Sequence, residues 1–337
     1  MIRESIKDLY EGKDLTSEGM RKSMEEIMTG EAAPSQIGAF LSLLAVKTPT
    51  VNEITQAARV MREKASSIEV DGELLDTCST GGTGINHMNI STTVAFIIAG
   101  AGMKVAKHGN RAATGKCGSA DVLEKLGVNI ELKPEEVKEC IEKTGIGFLY
   151  ARTFHQAMKY AAGARKEIGI RTVFNLLGPL TNPASVDYQL LGVYAPELTD
   201  SMAAVLGNLG VKRAMVVHGH GGLDEISLSG TTKVSELKDD FVKTYEISPD
   251  DFGLKTSSIE DIKGGDEEIN ASITRKVLAG EKGAFRDICL ANASAALVVA
   301  GLSEDFKEGV KMAEKIIDTG SAALKLDKLI EMSQSFG

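Results

Sequence analysis

The chain has 337 residues, 43% of them hydrophobic, and 38 basic against 47 acidic side chains give a formal charge of −9. That length supports one large or two moderate domains with a real core, and the acidic balance excludes non-specific adhesion to nucleic acid or anionic membrane. The best apolar run, Thr93 to Val105, is broken by Gly100, Gly102 and Lys104 and is too short to span a bilayer.

Arg3, Glu4, Lys7 and Asp8 leave no hydrophobic leader among the first residues, which predicts a cytoplasmic location. Cys78, Cys117, Cys140 and Cys289 include no C-x-x-C pair, so reduced, mostly buried thiols are expected rather than a zinc site or a disulfide framework. The chain then opens on helical patterns. Thr16 and Ser17 cap a helix with Met20, Met24, Ile27 and Met28 on one face and Gly30 past its end. Pro34 and Ser35 start a second through Ile37, Phe40, Leu41 and Leu44, and Thr50 with Glu53 forms a capping box before Ile54, Ala57, Ala58 and Met61. Three short helices with no strand between them predict a small helical subdomain whose Met and Leu stripes serve as core or subunit contact.

From Gly72 the texture changes to short strand-like runs alternating with helices. The runs Leu74–Cys78, Lys104–Lys107, Val128–Leu132, Gly147–Ala151, Gln189–Tyr194 and Ala214–His218 predict strands, with helices starting near Ser91, Ser119, Pro134, Phe154 and Thr199. This alternation predicts an α/β domain with a largely parallel sheet, in which ligands gather at the carboxyl ends of strands. A second break runs from Gly163 to Pro183, where Arg165, Lys166 and Arg171 precede a stretch without strand period that is expected to rejoin the helices. Beyond Ser258 the pattern is again helical, with Ile269, Ile273, Val277 and later Ala293, Ala296, Leu297 and Ala300 at core spacing.

Three constellations carry chemistry. Asp76 to Ser91 reads as strand, loop and helix start. Gly81, Gly82 and Gly84 let backbone N–H groups approach an anion, and Asn89-Ile90-Ser91-Thr92 supplies hydroxyls at the positive end of a helix dipole. A second loop holds Lys107, His108, Gly109, Asn110, Arg111, Gly115, Lys116, Cys117 and Ser119. It is no Walker motif, because five residues separate Gly109 from Gly115 and Cys117 stands in place of the magnesium-binding hydroxyl. Its three cations instead suit a loop that covers a pyrophosphate. Third, Asp224 and Glu225 follow Gly221 and Gly222, and adjacent carboxylates in a loop suit Mg²⁺. His218 and His220 lack a third ligand by spacing, which argues against zinc. Together these signals point to a magnesium-bound, phosphorylated substrate.

In chain order, the strings Thr80-Gly81-Gly82 with Gly84, Asn89 to Thr92, Lys107 to Arg111, Gly118 to Glu124, Arg171 to Pro183 and Gly222 to Ser227 resemble those of the anthranilate phosphoribosyltransferases. The resemblance extends to about Gly301, and the Arg171 to Pro183 string is its most specific part. It implies a helical domain of residues 1–70 with part of 165–183, an α/β phosphoribosyl-binding domain of 71–164 and 184–337, and a homodimer formed through the helices. It also implies Mg²⁺-dependent transfer of phosphoribosyl from phosphoribosyl pyrophosphate to the amine of anthranilate, in tryptophan biosynthesis. Carried over, Gly82, Asn89, Ser91, Thr92, Lys107 and Ser119 would hold the donor, and Ser91, Asp224 and Glu225 the Mg²⁺. Asn110 and Arg165, with His108 nearby, would hold the aromatic acid. Ser79, Thr83, His87, Gly109, His155 and Gly178 complete the expected substrate contacts, and Lys107, Asn110 and Arg165 are the expected catalytic residues.

The chain also departs from the pattern it resembles. Ser79 and Thr83 replace a Gly and an Asp of the first loop, and His87 stands where Thr or Ser is common. Phe154-His155 replaces a pair of histidines, and Gly163 replaces a proline. Three other readings stand beside the main one: a paralogue using another aromatic amine, a pyrimidine-nucleoside phosphorylase suggested by Ser79-Thr80-Gly81-Gly82, and a non-catalytic binding relative.

Overall fold

The structure, a computed structural model, describes residues 1–112 and 116–337, so Gly115 of the second loop lies outside the described residues. Four helices open the chain, at Ile2–Tyr10, Ser17–Thr29, Pro34–Lys47 and Val51–Lys64. The first escapes the sequence pattern because it buries only Ile2, Ser5 and Leu9. The other three start and stop as their caps dictate. Thr16 Oγ1 accepts from Gly19 N at 3.0 Å, Gly30 turns left-handed at φ 80°, and the Glu53 carboxylate accepts from Thr50 N at 2.7 Å. Glu53 is fully buried, yet it also takes Leu15 N and the Lys47 ammonium, so its charge is compensated.

Seven strands follow: β1 (Leu74–Ser79), β2 (Lys104–Gly109), β3 (Ile146–Tyr150), β4 (Tyr188–Gly192), β5 (Arg213–Gly219), β6 (Thr232–Lys238) and β7 (Phe241–Ile247). They form one sheet in the order β3-β2-β1-β4-β5-β6-β7, the first five parallel and the last two antiparallel. The expected α/β class with a largely parallel sheet is therefore what the chain adopts. Connections leave β1 in one direction towards β2 and β3, then return to its other side at β4. The crevice beyond the paired ends Ser79 and Gly192 is thus a topological switch point, where such sheets bind ligands.

The core lies on both sheet faces. One side carries the helix Ile90–Gly100 and the C-terminal helices Ala284–Val299, Phe306–Asp318 and Ser321–Gln334. Ile90–Gly100 is buried at Ile90 and throughout Thr92–Ala99, as a helix apolar all round must be. On the other side, Ala161, Ala164, Phe174, Leu177 and Leu180 share a cluster with the N-terminal helices and with Cys78, Leu191 and Val216 of the sheet. Each fully buried Leu, Ile or Phe there contributes about 1.5–3 kcal/mol.

One local expectation fails, and one hairpin leaves no signal in the sequence. Val128–Leu132 is not a strand: Val128, Ile130 and Leu132 are buried alternately, but Asn129 N donates to Ser333 Oγ of the last helix and no strand pairs with it among the described residues. Period-two burial was there satisfied by helix packing. The β6–β7 hairpin was missed; β7 exposes Phe241 to Thr244 and so lacks alternation, and its turn uses Asp239 and Asp240 at φ 51° and 64°.

Candidate functional site

The loop after β1 is shaped by three left-handed glycines, Gly81, Gly82 and Gly84, at φ 64°, 74° and 79°. Side chains resist that conformation, so the loop can keep its backbone N–H groups accessible only with glycine there. Its base is pinned to β4: Thr80 N donates to Gly192 O at 2.9 Å and Tyr194 N to Thr80 Oγ1 at 3.0 Å. Arg171 donates to Gly82 O while its guanidinium lies 4.1 Å from the centroid of the Tyr194 ring. Thr83 Oγ1 accepts from Ile85 N at 3.2 Å, a contact internal to the loop. Asn86 and Asn89 fasten the far end. Asn86 Nδ2 donates to Gly264 O at 3.0 Å, and Asn89 Oδ1 accepts from Asn270 Nδ2 at 2.8 Å.

Asp224 and Glu225 are brought against this loop although more than a hundred residues separate them in sequence. Gly81 N donates to Asp224 Oδ2 at 2.9 Å, and Ser91 N, at the start of the helix Ile90–Gly100, donates to Glu225 Oε1 at 3.2 Å. The approach is so close that a Cβ on Gly192 would sit 1.7 Å from Asp224 O. Both carboxylates are almost fully buried. Burial pushes the Asp224 carboxyl up, but the His87 ring and the Ser79 hydroxyl outweigh it and hold it below its ordinary value. Burial and the neighbouring Asp224 push Glu225 up to about 8. His87 Nε2 lies 3.3 Å from Asp224 Oδ1 and its Nδ1 2.7 Å from Met88 O. Burial opposes a charged ring there, yet Asp224 and Glu225 raise His87 above its usual pKa.

At the end of β2, Lys107 is buried and its ammonium donates to Thr77 O at 2.5 Å. Thr77 Oγ1 in turn donates to Ser91 O at 2.8 Å, so Lys107 lies beneath the first loop rather than over it. Asp76 beside it is pushed up by burial, with Lys107 opposing. Asn182 Nδ2 bridges Asp76 Oδ2 and Ala106 O, both at 2.8 Å, locking β1 to β2. Thr92 is buried. Gly109 ends β2 hard against Ser119, whose Oγ donates to Asn110 O at 3.3 Å. The expectation of three cations facing a ligand needs correcting. Arg111 is bound to Asp121 at 3.0 Å and Glu124 at 2.8 Å, while Lys107 points inward; Lys116 is exposed. Helix Ser119–Leu126 starts where expected, with Gly118 at its cap: Gly118 N is bound by Asp121, and Ser119 is the first helical residue.

His108 and His155 form the third group. Their rings lie 5.1 Å apart, both buried, with His108 Nε2 and both His155 nitrogens lacking a hydrogen-bond partner among the described residues. Burial lowers both, His155 to about 4, so the rings are neutral. Gly178, on helix Phe174–Leu180, and Thr181, just past its end, contribute the backbone that faces His108 and His155 and opposes the lowering of each ring. The same helix offers Phe174, whose ring lies 5.0 Å from the Arg165 guanidinium. Arg165 is half-buried, lowered by burial, and has no ion-pair or hydrogen-bond partner among the described residues. Asn110 is exposed, its Oδ1 accepting from Arg111 N at 2.8 Å. His218 and His220 engage Val193 O and Ser229 Oγ separately, and among the described residues no three His, Cys, Asp or Glu side chains converge as metal ligands.

Sequence reading did not assign roles to Arg171, Tyr194, Asn182 and Asn270. Arg171 and Asn182 lie inside the most specific sequence string, which was the available signal. Tyr194 and Asn270 carried none, because only the fold brings them to the loop. Among the described residues, no helix is long and apolar enough to cross a membrane.

Comparison with known proteins gives two family matches: the glycosyl transferase family helical bundle domain over residues 3–65 and the glycosyl transferase family a/b domain over residues 71–323. An anthranilate phosphoribosyltransferase of Symbiobacterium thermophilum is 54% identical, covering 98% of each chain. The crystal structure of the Thermus thermophilus anthranilate phosphoribosyltransferase superposes with a TM-score of 0.93 at 43% identity, over 98% of this chain and 99% of that one. The Saccharomyces cerevisiae enzyme, in complex with phosphoribosyl pyrophosphate and Mg, gives 0.90 at 28% identity over 99% and 98%. A second structure of it holds 4-fluoroanthranilate, at 27% identity and the same coverage and TM-score.

Proposed function

This chain belongs to the anthranilate phosphoribosyltransferases of tryptophan biosynthesis, and from that premise we propose which of its residues perform the transfer. The readings as nucleoside phosphorylase, other-amine transferase and non-catalytic relative give way to this one. The observation that carries the site assignment is the meeting of Gly81 N, Ser91 N, Asp224 and Glu225 at the β1–β4 switch point. The phosphoribosyl pyrophosphate would lie on the glycine loop and the N-terminus of helix Ile90–Gly100, within reach of Asn89, Ser91 and Ser119. Two adjacent buried carboxylates repel each other, and hard oxygen donors of this kind fit Mg²⁺. Asp224, Glu225 and Ser91 would hold it, and the ion would supply charge neutralisation for the departing pyrophosphate.

The anthranilate would lie on the His108–His155 face, its carboxylate towards the unpartnered Arg165. Two neutral rings offer nitrogen atoms without partners to an aromatic acid, and Arg165 offers a planar, fixed cation. Asn110, just past the end of β2 and two residues from His108, would orient the amine. An aromatic amine is neutral at pH 7, so the displacement needs positioning and charge stabilisation more than a base. Lys107 adds a fixed positive charge from beneath: its field acts on both Asp76 and Glu225. Ser79 faces Asp224, and Thr83 shapes the loop it sits in.

The division into residues 1–70 with part of 165–183 against the rest, a cytoplasmic location, and a homodimer through the helices belong to the same proposal. The exposed Tyr10 and Val46 on the N-terminal helices support the last. Sedimentation equilibrium should give twice the 35.8 kDa chain mass, and a monomer at micromolar concentration would contradict it. Turnover is tested by loss of anthranilate fluorescence. Loss should require both phosphoribosyl pyrophosphate and Mg²⁺ and should fall at least about 100-fold in Asp224→Asn; undiminished turnover in that variant would remove Asp224 from the site.

A further inference from the structure

Building on the assignment of Asp224 as a metal ligand, we propose that His87 is a positioning residue that occupies the metal's place on Asp224, so that a divalent cation binds only by displacing the imidazole. Asp224 has two oxygens and both are engaged. Oδ2 accepts from Gly81 N at 2.9 Å, and Oδ1 faces His87 Nε2 at 3.3 Å. The Asp224 side chain is 2% exposed, so a cation has no uncovered oxygen on it to approach first.

His87 is also built into place from behind. Its other ring nitrogen meets Met88 O at 2.7 Å, Met88 N donates to Ile262 O at 3.1 Å, and Gly264 N to Asn86 O at 3.0 Å. The backbone on either side of His87 is therefore paired with the 262–264 strip, and the ring can leave Asp224 only by side-chain rotation that gives up the Met88 contact. Mg²⁺ prefers oxygen ligands and gains little from an imidazole nitrogen. The ring is thus a competitor for the carboxylate and not a member of the coordination sphere. The bare ion is held weakly, and oxygens brought by a diphosphate group tip the balance towards displacement. The site in this way favours the metal–diphosphate pair over the metal alone.

The test measures metal binding by the intact chain without turnover. Mn²⁺ alone is counted from the electron paramagnetic resonance signal of the free ion, and Mg²⁺ by its displacement of Mn²⁺. His87→Thr, too short to reach Asp224, should tighten Mg²⁺ binding about three- to tenfold, the range set by freeing one hydrogen-bonded acceptor. His87→Gln keeps reach and an N–H donor and should stay near the parent value. Unchanged affinity in His87→Thr, or equal tightening in both variants, overturns the competition. Weaker binding in both makes the ring a ligand and overturns it as well. Asp224→Asn separates the two levels of the argument: if it leaves Mn²⁺ binding intact, the metal assignment fails and the role of His87 falls with it.

Discussion

Arg165 shows how a single residue can be chosen by what it lacks. A half-buried guanidinium resting on Phe174 without a carboxylate partner among the described residues retains most of its capacity to bind an anion. Arg165→Ala should raise the anthranilate KM about 10- to 100-fold, the loss of one charge-assisted contact, and leave the KM for phosphoribosyl pyrophosphate within about twofold. An unchanged anthranilate KM in steady-state assays would place the carboxylate elsewhere. At this scale the sequence was informative where chemistry is local. Asp224 and Glu225 adjoin in sequence and adjoin in space, and Thr50 with Glu53 capped the helix that their spacing announced. It was blind where the fold decides: nothing in the residue string tells that Lys107 turns inward to Thr77 O, or that Asp121 and Glu124 claim Arg111.

Between elements, the segment from helix Lys159–Ile168 to helix Phe174–Leu180 acts as a bracket. One end carries Arg165; Arg171, six residues on, crosses to Gly82 and stacks on Tyr194. The bracket therefore ties the glycine loop to the segment that carries the expected acceptor residues. Arg171→Ala should leave the loop less ordered and raise the KM for phosphoribosyl pyrophosphate roughly 5- to 10-fold, with Arg171→Lys recovering part of it. Equal KM values in Arg171→Ala and the parent would show that Thr80, Gly81 and Asn89 already hold the loop without it. The strands that build the site were legible because β1, β4 and β5 each hold a short apolar run, Leu74-Leu75, Leu190-Leu191 and Met215 to Val217, whereas β2 offered only Val105 and Ala106 between lysines. Val128–Leu132 misled because helix packing can also bury every second residue. The β6–β7 hairpin stayed hidden because an edge strand exposed at Phe241 to Thr244 has no buried face to repeat.

For the whole molecule, burial of His155 links stability to pH. Its folded value of about 4 lies below the unfolded value near 6.5, so the unfolded chain takes up the proton first as acid is added. The stability this neutral ring contributes is complete above about pH 6.5 and is lost as the pH falls towards 4, by up to about 3 kcal/mol; His108 shifts in the same direction. Urea midpoints at pH 7 and pH 5 should differ accordingly, and His155→Gln should flatten that difference; a parent midpoint independent of pH over this range would contradict it. The same molecule places its glycine loop, carboxylate pair and histidine pair at or beyond the carboxyl ends of β1, β5, β2 and β3, with the carboxylates reaching the β1–β4 switch point through Gly81, Ser91 and Gly192. A crystal structure of this chain with phosphoribosyl pyrophosphate and Mg²⁺ tests that placement most directly. The account predicts the pyrophosphate on Gly81 to Gly84 and the Ile90 helix start, with the ion on Asp224 and Glu225 and the His87 ring turned away. A pyrophosphate bound away from the β1–β4 crevice, or an ion that touches neither carboxylate, would contradict it.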